Sequence, residues 1–555
     1  MTKYLMTIAL GPVQEFIAAA RRTADLTAGS ELLVGLAGHL ADYLQRQHDA
    51  ELIFPASTQV SAPNKLLFTV QGEPHKIAAN AKEQAHAYLR NRWEACLQQL
   101  GTVQECIDVE LANWQLKNFL EFYAAWVPLN GNYAEARRRL EQLLAGRKAL
   151  RDFKQAPAYP KHPKSPLDPS MDSVFKSEAH GDGFSAPADA QQHPKLRLKP
   201  RETLDAISLI KRITGIMHAS SEGKRVPSTR EMGFRAVEKA LSKEALGAYR
   251  ALQHWQEELG IDDLSDLFFQ ENFRRICQER QTEEGWRLAP EQLEEVCADA
   301  SKLRKALKEA NISEELLRYY AILVADGDRM GAAIDSLTSL EAHRNFSRQV
   351  AQFAQNAERI VDAHDGHLVY CGGDDVLALL PANRALACAR KLHEAFVSCM
   401  QPVMPAGQTP SLSAGIAIVH VMDNLQVALG WARETEQYAK QLRNAVAVAR
   451  YPRSGGMNRA RTRWDDFGAW DYWIRAFRAG LADTLPYELR ALARDYQAID
   501  VPPDILRKEA MRVLERKQKP QQTIVIPDWV HSADDLHALT EMMLIARFLS
   551  GYPEV

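Results

Sequence analysis

The order of strand-like and helix-like segments repeats along this chain, and the repeat constrains the fold more than any other feature. The first set comprises an apolar strand at 4–10, a helix carrying Phe16, Ile17, Ala20 and Leu26, apolar runs at 52–54 and 66–70, and a charged helix at about 75–100. The second comprises a strand ending at Asp326, a helix at about 340–364, a hairpin, a helix at 383–400, a strand at 412–419 and a helix at about 424–443. This β-α-β-β-α order predicts an α+β protein with two ferredoxin-like units.

The hairpin of the second unit has two adjacent carboxylates at its tip. Gly372, Gly373, Asp374 and Asp375 separate the apolar runs 368–371 and 376–380. Gly and Asp are also ordinary turn residues, so an exposed turn is the alternative. Adjacent carboxylates repel each other, and a bound cation would relieve that repulsion. The corresponding turn of the first unit, around 57–61, has no carboxylate, so only the second unit is expected to hold metal this way.

A second acidic loop, Asp326-Gly327-Asp328, ends the strand at 319–325. In a ferredoxin-like sheet this strand and the hairpin lie side by side, so Asp326 and Asp374 are expected to converge. Mg²⁺ takes one or two protein carboxylates together with substrate phosphates, so the pair indicates a nucleotidyl-transfer site. Capping of the next helix remains an alternative for Asp326 and equally for Asp328. Lys440 could reach a triphosphate or could merely satisfy a helix end.

Length and composition limit the possible classes of protein. The 555 residues allow about three to five domains, and a net charge of −3 excludes a globally basic nucleic-acid binder. Seven dispersed cysteines without a C-x-x-C pair are typical of a reducing compartment and make a structural zinc site improbable. Neither a signal peptide nor an apolar run of about 18 residues is present, so we expect a cytoplasmic protein without a membrane partner.

The remaining segments predict helical modules around the two units. We expect four domains, namely a first unit at 1–110, a helical domain at 111–315 with a Pro-rich extended or mobile connector at about 155–200, a second unit at 316–463, and a helical C-terminal domain at 464–555. The basic pairs Arg21-Arg22 and Lys211-Arg212 are expected on solvated helix faces. Trp464, Trp470 and Trp473 are expected in a helical core.

Four stretches resemble the large polymerase/cyclase subunit of type III CRISPR effector complexes, in the Cmr-type branch. They are Gly11 to Ile17 with Ala20 to Thr23 and Gly29-Ser30; Lys199 to Ile207 through Lys211-Arg212; Asp326 to Gly331; and Gly372 to Asp375. The resemblance implies two facing palm domains, a helical domain between them and a helical C-terminal domain. It also implies a complex with other subunits and CRISPR RNA, in which target RNA switches on synthesis of cyclic oligoadenylates from ATP.

The chain departs from the family pattern in two ways. Many relatives begin with an HD nuclease domain, whereas this sequence opens at the first palm, so no HD-type DNase activity is expected. Many relatives also hold zinc through four cysteines between the palms, and the Pro-rich connector contains none.

The expected chemistry is two-metal nucleotidyl transfer. Asp326, Asp374 and Asp375 would act as catalytic and metal-binding residues holding two Mg²⁺ or Mn²⁺ ions about 4 Å apart. The nucleotide would contact Gly327, Asp328, Met330, Gly331, Gly372, Gly373 and Lys440, largely through backbone N–H groups. Two alternatives stay open, a catalytically silent scaffold subunit of the same complex and a free-standing cyclic-dinucleotide synthase.

Overall fold

The structure, a computed structural model, describes most of the chain. The described residues are 2–57, 64–150, 162–176, 178–180, 183–193, 195–196, 198, 202–221, 226–259, 261, 264–280, 289–405, 407–497, 502–517 and 524–553. None of the helices in these ranges combines the length and the apolar character needed to cross a membrane.

The first palm is an antiparallel sheet with strand order β2-β3-β1-β4, which is the ferredoxin-like arrangement. Its elements are β1 (Lys3–Gly11), α1 (Gln14–Ala18), α2 (Thr23–His48), β2 (Glu51–Phe54), β3 (Lys65–Gln71), α3 (Pro74–Gln98), α4 (Val109–Phe119), β4 (Glu121–Pro128) and α5 (Tyr133–Ala149). Residues 58–61 of the predicted carboxylate-free turn lie outside the described residues.

The prediction that the first palm ends at residue 110 is wrong. Strand β4 pairs with β1 from Tyr4↔Pro128 to Gly11↔Glu121, so the sheet continues to residue 128. Alternate residues of β4 are buried, as expected for a strand with one face on a core. Assigning 111–128 to a helical domain missed this period-two pattern.

The middle of the chain is helical, as predicted, but its helices share their cores with the two palms. The elements are β5 (Glu178–His180), β6 (Gly183–Ser185), α6 (Ala188–Gln192), α7 (Ala206–Ser221), α8 (Thr229–Glu238), α9 (Lys243–Glu258), α10 (Ser265–Phe268), α11 (Gln270–Arg280) and α12 (Pro290–Glu309). Apolar residues of α7 join the core of the first palm, and those of α8 to α12 join the core of the second.

The Pro-rich segment packs against the first palm wherever the structure describes it, so the prediction of an extended or mobile connector is wrong there. Val174 and Phe175 are fully buried in the first-palm core, and so are Ala190 and Leu196. These scattered apolar residues have no periodicity that sequence could reveal, yet each is fully buried in the core.

The Lys211-Arg212 pair is buried, contrary to the prediction of a solvated face. Arg212 donates from Nε to Asp25 Oδ1 at 2.8 Å and from an Nη atom to Glu202 Oε1 at 3.0 Å. Lys211 Nζ donates to the backbone oxygens of Phe16 and Ala19. Buried charges persist only when paired, and here the pairing fastens α7 to the start of the first palm.

The second palm contains the same four-strand arrangement, extended by two strands at one edge. Its elements are β7 (Tyr319–Gly327), α13 (Met330–Asp335), α14 (Leu340–Ala363), β8 (His367–Cys371), β9 (Val376–Pro381), α15 (Ala385–Met400), β10 (Leu412–His420), α16 (Leu425–Leu442), β11 (Ala445–Arg450) and β12 (Asn458–Arg463). The strand order is β12-β11-β10-β7-β9-β8. The bounds of the two hairpin strands and of helices α14, α15 and α16 were predicted to within two residues.

The C-terminal module is helical, as predicted. It consists of α17 (Gly468–Arg478), α18 (Leu485–Gln497), α19 (Pro503–Glu515) and α20 (Ala533–Ser550). The predicted start of α20 is confirmed, because the Ser532 side chain caps the helix and Asp535 bonds back to the Ser532 backbone. Trp464, Trp470 and Trp473 are buried as expected.

Candidate active site in the second palm

Antiparallel pairing of β7 with β9 brings the two acidic loops together. The last residue pair between the two strands is Ala325↔Val376. Beyond that pair, Asp326 and Gly327 are the last two residues of β7, and Asp374 and Asp375 directly precede β9. A Cβ atom added to Gly327 would lie 3.1 Å from Asp374 Cβ, so the two loops touch. The end of β7 therefore meets the hairpin tip, while the predicted convergence of the Asp326 and Asp374 carboxylates stays a prediction.

Glycine is required by the geometry of both loops. A Cβ atom on Gly327 would also come within 2.8 Å of Met330 and Phe396, and one on Gly372 would overlap the Tyr370 hydroxyl group. Gly373 has φ +110°, a conformation that side chains disfavour. The Gly372 N–H donates to the Asp375 carbonyl oxygen and closes the turn.

The hairpin acids are poorly solvated. Each keeps a partly exposed edge, but the surrounding protein raises the pKa of Asp374 to about 7, and the charge of Asp375 adds to that shift. Loss of water likewise raises the pKa of Asp375. No described lysine, arginine or histidine pairs with either carboxylate. Two adjacent acids without a counter-ion favour a bound cation.

Asp326 has a cationic neighbour already. Lys440, near the end of α16, forms an ion pair with Asp326 Oδ2, and its Nζ lies 3.2 Å from Glu436 Oε1. Burial lowers the pKa of Lys440, with Arg443 adding to the effect. Burial also raises the pKa of Glu436 to about 7, and Asp375 and Asp328 contribute. The site thus holds more acid groups than the two loops alone provide.

The Asp328 carboxylate belongs to the scaffold of the site, and the predicted contact of this residue with the nucleotide stays a prediction. Its buried carboxylate accepts hydrogen bonds from Ser411 Oγ at 2.7 Å, Ser413 Oγ at 2.8 Å and Asn444 N at 2.9 Å. Nor does it cap α13, since Arg329 occupies the cap position with φ 59°. The carboxylate ties the end of β7 to β10 and to the turn after α16.

The other predicted nucleotide contacts differ in accessibility. The Met330 side chain is buried in the core of the second palm, so only its main-chain atoms could contact a nucleotide. A Cβ atom on Gly331 would meet no atom within 4 Å, which leaves its backbone open to approach.

Two family models match this chain, and the second match includes both acidic loops. Residues 5–118 match the family described as CRISPR-associated protein Cmr2, N-terminal. Residues 319–447 match the family described as Cas10/Cmr2, second palm domain.

These two segments of the chain resemble domains of Cas10/Cmr2 proteins.

One relative is the CRISPR system Cmr subunit Cmr2 of Pyrococcus furiosus, which is 32% identical over 178 residues. That alignment covers 27% of this chain and 20% of the relative's length.

Two solved structures extend the likeness in fold to almost the whole chain. A type III-B Cmr-beta complex bound to cognate target RNA contains a chain that matches with a TM-score of 0.61 and 12% identity, over 95% of this chain and 80% of that one. A Csm1-Csm4 cassette in complex with cA3 matches with a TM-score of 0.50 and 13% identity, over 98% of this chain and 70% of that one. At such identities the likeness concerns the fold alone.

The donor set of the candidate site suits a hard divalent cation. Among the described residues, no three His, Cys, Asp or Glu side chains are arranged to hold one ion. Mg²⁺ does not require three, because it binds through one or two carboxylates and completes its shell with water and phosphate. Asp374 and Asp375 supply two adjacent, half-buried oxygen donors, so the residues present fit the ion.

Glu436 is the residue of this site that the sequence did not reveal. It lies 110 positions after Asp326, on a helix whose charged residues look alike in sequence. The one available signal was its spacing of four residues from Lys440, which places both side chains on the same helix face.

Proposed function

We propose that this chain is the large subunit of a Cmr-type CRISPR RNA-guided complex, and that its second palm makes cyclic oligoadenylates from ATP when target RNA is bound. Its partners would be the other subunits of the complex, CRISPR RNA and, through the complex, target RNA. The observation that carries the proposal is the contact between the end of β7 and the hairpin tip that precedes β9, where Gly327 lies against Asp374. The likeness to chains solved with target RNA and with cA3 supports it.

The residues of the site suit transfer of a nucleotidyl group. Bound to Asp326, Asp374 and Asp375, two divalent cations would activate the 3′-hydroxyl group of one ATP and neutralise the pyrophosphate leaving another. The open backbone at Gly331 and the absence of side chains at Gly372 and Gly373 would let phosphate oxygens approach main-chain N–H groups. Lys440 would add a point charge for the triphosphate.

Product analysis tests the proposed activity directly. The assembled complex is incubated with ATP, Mg²⁺ and target RNA, and cyclic adenylates are measured by mass spectrometry. Replacing both hairpin acids, Asp374→Asn with Asp375→Asn, should lower the rate by about 100-fold or more, as loss of charge-stabilising groups usually does. The exposed Asp466→Asn variant is the matched control and should keep its rate. Unchanged product formation by the double variant would refute the site.

A catalytically silent scaffold is the second candidate, and one observation favours it. Lys440 already neutralises Asp326, and no three-ligand cluster exists in the described part of the chain. The two functions differ in their response to ligand. A binding site saturated at about 100 times its Kd adds about 2.7 kcal/mol to the free energy of unfolding. Thermal unfolding with and without ATP and Mg²⁺ measures this, and a scaffold predicts no change.

A further inference from the structure

Helix α16 is packed unusually tightly against the sheet at Glu436. A Cβ atom on Gly415 of β10 would overlap the backbone nitrogen of Glu436, so this turn of the helix lies directly on the strand. The Glu436 side chain is therefore confined between helix and sheet, where only 7% of the residue is exposed. Such a position fixes where the carboxylate can reach.

That carboxylate is incompletely satisfied. Glu436 Oε1 accepts no hydrogen bond from the described residues, although Lys440 Nζ lies 3.2 Å away. The distance is that of an ion pair, but the geometry is not that of a hydrogen bond. A buried carboxylate oxygen without a donor is costly, so Glu436 has capacity for a closer partner.

Lys440 is shared between two acids. It contacts Asp326 on the β7 loop and Glu436 one turn back on its own helix. If a divalent cation takes Asp326, the half-buried ammonium group must leave that carboxylate. An ammonium group left without an anion in such a place is strongly unfavourable. Glu436 lies within reach to receive it.

We propose that Glu436 is a positioning residue that holds the Lys440 ammonium group whenever Asp326 binds a divalent cation. Lys440 then stays at the site, available to triphosphate oxygens. Glu436 lowers the free-energy cost of cation binding because it keeps the displaced charge paired. This inference rests on the proposed function, since it requires a cation at Asp326.

A double-mutant cycle distinguishes this role from two simpler ones. If Glu436 acts through Lys440, the effect of Glu436→Gln on cation affinity depends on the lysine being present. If Glu436 binds the ion itself or merely adds negative charge, the effect is the same without the lysine. Residues that act on each other in this way give non-additive effects.

The measurement is Mn²⁺ binding to the full-length chain, by electron paramagnetic resonance without nucleotide. We expect Glu436→Gln to raise the Mn²⁺ dissociation constant about tenfold, and Lys440→Met to lower it, because Asp326 loses a competitor. In the Lys440→Met background, Glu436→Gln should change the constant less than about twofold. The exposed Glu434→Gln on the same helix is the control and should leave it unchanged. Thermal unfolding in EDTA checks that every variant folds.

The outcomes separate this inference from the proposed function. A tenfold effect that persists in the Lys440→Met background overturns the positioning role, and so does a wild-type affinity in Glu436→Gln. Asp374→Asn is measured in the same titration. If wild type shows no Mn²⁺ binding that Asp374→Asn weakens, the proposed function fails with the inference. If that binding is present and only the Glu436 cycle fails, the proposed function stands alone.

Discussion

At the scale of single residues, the site is a set of charges that the fold holds out of water. Asp374 and Asp375 have no cationic partner among the described residues, while Asp326 has Lys440. A buried unpaired carboxylate opposes folding, so the hairpin acids lower the stability of the ion-free protein. Such a cost is typical of functional sites, where binding offsets it.

We predict that Asp374→Asn stabilises the ion-free protein. The pKa of Asp374 is about 7 in the folded state against 3.8 as the ordinary value. Its folded form therefore holds the proton more tightly, and wild-type stability falls as pH rises from about 4 to about 7. At pH 8 in EDTA, denaturant unfolding should show Asp374→Asn about 1 to 3 kcal/mol more stable than wild type.

The control for that prediction is Asp466→Asn, which replaces an exposed carboxylate and should change the free energy of unfolding by less than about 0.5 kcal/mol. The gain from Asp374→Asn should also shrink as pH falls towards 4 and disappear below the ordinary pKa of 3.8, where both the folded and the unfolded states are protonated. An Asp374→Asn protein that is less stable than wild type at pH 8 would show that the carboxylate is already stabilised in the absence of an ion.

At the scale of secondary-structure elements, the contact between α16 and β10 aligns the site. Gly415 lets the helix lie on the strand, and the Asn444 N–H that follows the helix donates to Asp328 at 2.9 Å. The Asp328 carboxylate in turn accepts hydrogen bonds from Ser411, which precedes β10, and from Ser413, which lies within it. These contacts fix the position of α16, which carries Lys440, relative to the end of β7, which carries Asp326.

We predict that Gly415→Ala shifts α16 and lowers stability. The added methyl group overlaps the Glu436 backbone, which cannot move as a flexible side chain would. Overpacking of this kind costs about 1 to 3 kcal/mol. Denaturant unfolding measures the loss, and Mn²⁺ affinity should weaken with it because Lys440 and Glu436 move together.

Gly430→Ala on the same helix is the matched control. An added Cβ atom there meets nothing within 4 Å, so the change should stabilise the helix by up to about 1 kcal/mol. Equal effects at the two glycines would mean that helix propensity, rather than the contact with β10, decides the outcome.

At the scale of the whole molecule, polar contacts from the first palm hold the helices beside the site. The Tyr133 hydroxyl group of α5 lies 2.8 Å from His343 Nδ1 of α14. Arg137, also on α5, pairs with Asp335 at the end of α13, the helix that follows the β7 loop. The Ala56 N–H donates to the Ser347 hydroxyl group at 2.9 Å.

We predict that this junction weakens in acid. Burial lowers the pKa of His343 to about 4, and the neighbouring Arg137 and Lys65 add to the shift. The unfolded chain takes up a proton near pH 6.5, before the folded protein does, so stability is complete above pH 6.5 and is lost as pH falls towards 4. Protonation of His343 should lower the free energy of unfolding by about 2 kcal/mol between pH 6.5 and pH 4, which denaturant unfolding at a series of pH values measures.

The comparison variant is His343→Gln, which keeps a polar group beside Tyr133 but cannot titrate. Its stability should depend less on pH between 4 and 6.5 than that of wild type. His393, whose pKa burial also lowers to about 4, is present in both proteins and cancels. Identical pH profiles would show that His343 does not contribute.

Sequence alone determined the features that depend on neighbours along the chain. Strand and helix periodicity indicated both ferredoxin-like units, and the residue pairs Gly372-Gly373 and Asp374-Asp375 marked the hairpin tip. Antiparallel pairing of adjacent strands then sufficed to predict that Asp326 meets the hairpin. These inferences hold because short stretches of sequence determine the local backbone preference and the order of the strands.

Only the tertiary structure decided which charges are buried and what they contact. The pairing of Arg212 with Asp25 spans 187 positions and that of Asn444 with Asp328 spans 116, so no local pattern distinguishes these residues from solvated ones. Glu436 likewise becomes part of the site only because Gly415 of β10 lets α16 lie close against the sheet. Burial and pairing depend on how distant segments pack, and that packing is a property of the folded chain as a whole.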